Sequence, residues 1–189
     1  QVAQNAFTGP PVPPPLAQLL RRALGAGMPE VVRLSNDPRF LLGVIPSANV
    51  MTTAEEISGF YQCLLDDGSW QGQSIFAPRS VHHAIAEQSY WEMDFTLGVP
   101  LRYGLGFMLG SKQVGPFGLD NERAFGHIGL SNTFTWADPD RQLAVALLTT
   151  GKPVVSLHVV PLFALIAAIG KLVEGDPRAG RRGCTGGEG

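Results

Sequence analysis

Apolar and polar positions alternate most regularly between residues 54 and 65. Ile57, Phe60, Tyr61, Leu64 and Leu65 recur at i, i+3, i+4, i+7 and i+8, which gathers them on one face of a helix. Thr53 stands just before this run, and Glu56 three residues later completes a capping box. Asp66-Asp67-Gly68 ends the helix, with Gly68 the expected C-cap. A shorter helical pattern (Leu16, Leu19, Leu20, Ala23, Leu24) spans Leu16 to Ala26 and closes on Gly25 and Gly27. Residues 28–51 show no long period and read as irregular. Trp70 to Ile75 reads as a short extended or turn segment. Pro78 then opens a further helix reaching about Gln88, because proline suits a first helical turn.

From Tyr103 the period shortens. Tyr103 to Leu109 alternates small and large residues and predicts a strand; Phe125 to Trp136 predicts a second, and Arg141 to Thr149 a third. Asp138-Pro139-Asp140 is a turn signal, so the last two pair as an antiparallel hairpin. Val154 to Val173 is mostly apolar and has the length a bilayer needs. Ser156, His158 and Pro161 interrupt its first half, whereas Leu162, Leu165, Ile166, Ile169, Leu172 and Val173 repeat at helical spacing. This predicts a helix of about 14 residues packed on the sheet rather than a membrane span. Three regions result: a Pro-rich lead with a short helix (1–40), a mixed helix and strand region (41–175), and a Gly-rich charged tail expected to be disordered (176–189).

Composition narrows the class. The 189 residues suit one domain with a sizeable core. Hydrophobic residues make up 44% and charged residues 16%, which excludes a disordered, solvating chain. A net charge of −2 without a basic face argues against nucleic acid as a partner. Pro10 to Pro15 reads as an extended connector. Cys63 and Cys184 form no disulfide framework and lean toward a reducing, cytoplasmic compartment. No cysteine or histidine spacing fits a metal site, and no cofactor is expected.

Four histidines are present. His82 and His83 sit in the Pro78 helix, one expected inward and one outward, and His158 stands at the entry of the last helix. His127 differs because Gly126 and Gly129 bracket it in Phe125-Gly126-His127-Ile128-Gly129. Glycine in a strand lets a ligand or another backbone approach closely. A kinked strand with a surface imidazole would give the same spacing.

The order of segments adds what no single motif carries. Ile45-Pro46-Ser47-Ala48-Asn49 precedes Thr52-Thr53-Ala54 and the Phe60/Tyr61 helix. Asp67-Gly68, Gly72-Gln73-Ser74-Ile75, Tyr103-Gly104-Leu105-Gly106-Phe107, Phe125 to Gly129 and Trp136-Ala137-Asp138-Pro139 follow. Over about residues 40–175 this resembles the C-terminal half of the serine β-lactamase-related hydrolases: class C β-lactamases, D-Ala-D-Ala peptidases and related esterases. The resemblance implies an α+β fold, an antiparallel sheet packed by helices, β-lactamase-like and incomplete in this chain. It also implies an acyl-enzyme mechanism on a small ester or amide. Such enzymes use a Ser-x-x-Lys nucleophile, a Tyr-x-Asn acid/base tyrosine and a third motif on the strand beside the site. His127-Ile128-Gly129 looks like that third motif. In that reading His127 faces the substrate or the catalytic tyrosine, and Gly129 lets the acyl group lie against the strand. The Leu130 backbone N–H becomes one of two oxyanion donors. Tyr103 and Trp136 are expected in the core first and as cleft lining second.

The sequence departs from the family pattern at two points. No serine begins Ser-x-x-Lys, and Tyr61, Tyr90 and Tyr103 are followed two residues on by Cys63, Glu92 and Leu105, not Asn. The chain does not begin with Met. It therefore reads as a C-terminal segment that needs the N-terminal half of the same protein as its partner, is inactive alone, and leaves a sheet edge or face uncovered. His in place of Lys in the third motif favours an esterase over a β-lactamase, since a cationic Lys better suits a penicillin carboxylate. The alternative is a non-catalytic binding or structural module derived from the same fold.

Overall fold

The computed structural model describes residues 2–45, 49–95, 99–129, 132–154 and 156–173. Its first elements are β1 (Ala6–Phe7), α1 (Pro14–Leu24), α2 (Met28–Leu34) and α3 (Pro38–Leu42). Next come α4 (Ala54–Leu65), the two-residue strands β2 (Ser69–Trp70) and β3 (Gln73–Ser74), and α5 (Pro78–Ile85). Strands β4 (Ser89–Asp94), β5 (Val99–Tyr103), β6 (Met108–Leu109), β7 (Val114–Gly115) and β8 (Gly118–Leu119) follow. The described chain closes with β9 (Phe125–Gly129), β10 (Thr133–Asp138), β11 (Leu143–Leu147), β12 (Gly151–Lys152) and α6 (Val159–Leu172).

Six strands form one antiparallel sheet in the order β11-β10-β9-β6-β5-β4. Alternation along each strand gives the sheet two apolar faces. Met108, Phe134 and Trp136 join Leu101, Phe117 and Ile166 on the α6 side. Leu109, Phe125 and Ala137 join Tyr61, Leu64 and Val81 on the side covered by α4 and α5. A third cluster, Leu20, Met28 and Val32, holds α1 and α2 together with Phe7. The lead is tied to the body by β1, which pairs in parallel with β12, Ala6 opposite Gly151.

Thr53 and Glu56 cap α4 reciprocally: the Glu56 N–H donates to Thr53 Oγ1 at 3.1 Å and the Thr53 N–H to Glu56 Oε2 at 2.8 Å. Helix α6 covers Val159–Leu172 at the expected length. No helix among the described residues is long and apolar enough to cross a membrane. The Asp138-Pro139-Asp140 turn joins β10 to β11, and the Asp138 carboxylate accepts the Asp140 N–H at 3.0 Å.

Several expectations need correction. Residues 28–51 contain α2 and α3, helices of 7 and 5 residues, too short to display a period. Pro29 and Pro38 each occupy a first helical turn there, and Asp37 caps α3 through the Arg39 N–H. Helix α1 starts inside the proline run, at Pro14. The C-cap of α4 is Asp66, and Gly68 lies two residues further on at φ 86°, its N–H on the Cys63 carbonyl. The expected Tyr103–Leu109 strand is the end of β5 and the start of β6, joined through Gly104–Phe107. Phe125–Trp136 is a hairpin of two strands. The sheet thus has six strands where three were expected. β4 was hidden because its register slips between Ser89 and Glu92, which destroys the two-residue period. His82 and His83 are both exposed; Val81 is the inward residue of α5. The 176–189 tail, Cys184 included, lies outside the described residues.

Two substitutions test this architecture. Trp136 is 2% exposed and stacks on Phe117 at 5.9 Å. Trp136→Ala is expected to cost about 3–5 kcal/mol, lowering the melting temperature by roughly 10 °C. Thr53→Ala removes one cap and should cost about 1 kcal/mol. Thermal unfolding followed by circular dichroism reads both.

Candidate active site

Strand β9 is short, and its side chains divide sharply. Phe125 is buried against Tyr61, Ile128 packs into the α6-side cluster, and His127 between them is exposed. Register explains the division. Thr135 lies opposite His127 and Phe134 opposite Ile128, so His127 and Thr135 share the α4 side while Ile128 and Phe134 share the other. On the α4 side, Phe107, Phe125 and Tyr61 form an edge-to-face aromatic group, with centroids 5.4 Å apart for Phe107–Phe125 and 6.2 Å for Tyr61–Phe107. The Tyr61 hydroxyl lies 3.0 Å from Thr135 Oγ1. Burial pushes that phenol above its ordinary pKa, so it stays protonated near neutral pH. The aromatic group covers the β9 face at Phe125 and leaves it open at His127.

The imidazole is held locally. His127 Nδ1 sits 2.9 Å from the Ile128 carbonyl oxygen, and the neutral ring donates there through Nδ1–H. Nε2 is then the acceptor nitrogen on the exposed side, the atom that could take a proton from a reacting group.

The two glycines differ in their causes. A Cβ on Gly126 would run into the Thr135 carbonyl oxygen and the Trp136 backbone, so Gly126 is required by the closeness of β10. A Cβ on Gly129 would meet the Thr133 side chain at 3.1 Å, a milder crowding on the His127 side. Of the two approaches a strand glycine permits, Gly126 serves that of another backbone. Leu130 lies outside the described residues. Trp136 is core, on the side away from His127. Tyr103 also packs on the α6 side, and its hydroxyl donates to Asp94 Oδ2 at 2.5 Å.

One charged residue was missed. Lys152 Nζ donates to the Thr149 carbonyl at 2.7 Å and to Thr133 Oγ1 at 3.4 Å, which brings a half-buried cation beside the residue paired with Gly129. Burial lowers its pKa. The long-range pairing of β1 with β12 helps to fix this place, and a Gly-Lys-Pro stretch carries no local signal of it. The neighbouring Asn132, at φ 67°, accepts from His158 Nε2 at 2.9 Å. Among the described residues no group of three or more His, Cys, Asp or Glu could hold a metal ion.

An antiparallel sheet between helical layers presents an imidazole from an inner strand, and comparison with known proteins gives the family. The chain belongs to the beta-lactamase family, whose model matches residues 4–168. This is a family of esterase/β-lactamase-like hydrolases. The chain is 28% identical over 107 residues to "Esterase/beta-lactamase LipL" of Mycobacterium tuberculosis (strain ATCC 25618 / H37Rv). That match covers 55% of this chain and 23% of the relative. Its fold is similar to a penicillin-binding protein homolog from Caulobacter crescentus, with TM-score 0.65, 21% identity, and coverage of 89% of this chain and 43% of that one. It is also similar to EstA from Arthrobacter nitroguajacolicus Rue61a, with TM-score 0.63, 22% identity, and coverage of 91% and 47%. The chain therefore spans less than half the length of these proteins.

Because His127 is exposed and, among the described residues, bonds within its own strand, its removal should leave the fold intact. His127→Ala is expected to change stability by less than about 0.5 kcal/mol, whereas Gly126→Val should unfold the chain or prevent its soluble recovery. Urea denaturation of the two variants against the parent chain checks the contrast.

Proposed function

We propose that this chain is the C-terminal part of a serine hydrolase that cleaves a small ester or amide through an acyl-enzyme. The carrying observation is His127: an exposed imidazole on an inner strand of a two-faced sheet, Nδ1 fixed by Ile128 and Nε2 available. In this reading the N-terminal half of the same protein brings the Ser-x-x-Lys helix and the Tyr-x-Asn tyrosine over the His127 face. The serine attacks the carbonyl carbon and its proton passes to the Lys/Tyr pair, since a free alcohol is a weak nucleophile without an adjacent base; the pair returns a proton to the departing alcohol or amine as the scissile bond breaks and the acyl-enzyme forms. His127 faces the substrate or that tyrosine. Gly129 leaves room for the acyl group beside β9. The Leu130 N–H is one of two donors to the developing oxyanion, and loss of one such donor typically costs about 2.7–4 kcal/mol. Water then releases the acid.

An ester is favoured over a β-lactam. An imidazole at the third motif gives a substrate carboxylate less than the permanently charged ammonium of a lysine would. The relative named "Esterase/beta-lactamase LipL" carries both activities in its name and does not separate them. The 189-residue chain alone lacks a nucleophile motif and should not turn over esters.

The intact mass of the protein from its own source, after exposure to a fluorophosphonate, tests the proposal. The expected result is a mass near twice 20.2 kDa carrying one adduct. A mass near 20.2 kDa without an adduct would overturn it in favour of a non-catalytic module. So would ester turnover by the 189-residue chain that His127→Ala abolishes, since the missing nucleophile would then lie within it.

A further inference from the structure

Across the sheet from His127 lies a cavity the hydrolytic reading does not use. It measures about 230 Å³ and is bounded by Trp91, Leu101, Val114, Ile128 and Phe163, with Ser111 in its wall. A cavity of about 150 Å³ is enough to hold benzene. Leu101 and Ile128 belong to the α6-side cluster, and Phe163 comes from α6 itself.

The polar inventory of the wall restricts what could sit there. Among the described residues of the wall Arg102 is the only charged one, and its guanidinium is already engaged. It bonds both Glu87 carboxylate oxygens at 2.9 Å and the Gly110 carbonyl at 2.7 Å. An anionic ligand finds no unneutralised partner. Ser111 is 4% exposed, and its Oγ accepts the Gln113 N–H at 3.2 Å. Its own hydroxyl hydrogen has no acceptor among the described residues, so one donor remains inside an otherwise apolar wall.

Trp91 supplies an independent observation. It is a non-glycine residue at φ 52°, placed where the β4–β5 register slips between Ser89 and Glu92. Such a backbone costs on the order of 1–3 kcal/mol and is typical of ligand clamps. A bulge re-aims the side chain it carries; this one sets a partly exposed indole at the cavity.

We propose that the cavity binds a small, neutral, mainly apolar molecule of about nine or ten heavy atoms. A single acceptor oxygen takes the Ser111 hydroxyl hydrogen, and an aromatic or aliphatic body packs on Trp91, Leu101 and Ile128. The competing occupant is a side chain from the N-terminal half of the protein.

The test is a titration of the 189-residue chain with acetophenone, which has one carbonyl oxygen, beside oxygen-free ethylbenzene and anionic benzoate. The indole N–H signal of Trp91, assigned with Trp91→Phe, and the Ile128 methyl signals report occupancy by NMR. Acetophenone should shift both saturably, with benzoate at least about tenfold weaker. Ser111→Ala should weaken acetophenone about fivefold, the worth of one hydrogen bond, and leave ethylbenzene unchanged. Val114→Trp, at an exposed rim position, should weaken both at least about tenfold without disturbing the fold. Absence of saturable shifts at Trp91 and Ile128, or shifts indifferent to Val114→Trp, would overturn the proposal. Shifts confined to Tyr61 and Thr135 would do the same, because the probe would then sit on the His127 side. The longer protein is titrated last: a response kept in the 189-residue chain but lost there assigns the cavity to the upstream polypeptide and overturns the ligand reading. None of these readouts depends on hydrolysis.

Discussion

The packing of Gly126 on β9 against the Thr135 carbonyl and the Trp136 backbone of β10 is the constraint on which the sheet's register rests. Only a residue without a Cβ fits beneath the Thr135 carbonyl and the Trp136 backbone. The closeness lets the Trp136 indole stack on Phe117 in the α6-side core, where Ile166 completes the cover. With that pair fixed, the two-residue period of a strand leaves no freedom for the neighbours: Phe125 and His127 go to the α4 side, Ile128 to the other. The chemistry-bearing position is thus set by packing one residue away from it.

Long-period elements were legible in the sequence and short ones were not. Helix α4 declared itself through five apolar positions and a capping box, and α6 through apolar spacing after Pro161. The β10–β11 hairpin followed from Asp138-Pro139-Asp140. By contrast, α2 and α3 are little more than one or two turns, and β6, β7 and β8 have two residues each, so no periodicity can accumulate. β4 escaped because a bulge reverses its alternation midway. At the candidate site, His127 could be singled out from its flanking glycines. Lys152 could not, because its place beside Thr133 follows from contacts more than a dozen residues away in sequence.

Two elements of the described structure keep apolar surface uncovered. Helix α6 is apolar on every side, yet Ile166 is its one fully buried residue, and Val160 is 72% exposed. A helix apolar all round is ordinarily enclosed. β11, with the sequence LAVAL, has β10 as its single partner among the described strands and presents an apolar, uncharged edge. Both features agree with a chain that spans less than half of its structural relatives.

The parallel pairing of β1 with β12 carries a consequence for the order in which the molecule assembles. The β9–β10–β11 meander joins residues within a window of 23 positions, Phe125 to Leu147, so its contacts are local and can form early. Pairing Ala6 with Gly151 closes a loop that contains most of the chain, an entropic cost met only after the sheet already exists. Only two residue pairs hold that junction, with the Leu20, Met28 and Val32 cluster behind it. The lead is therefore the last unit to dock and the first to open, a separate cooperative unit whose amides exchange with solvent while those of the meander stay protected.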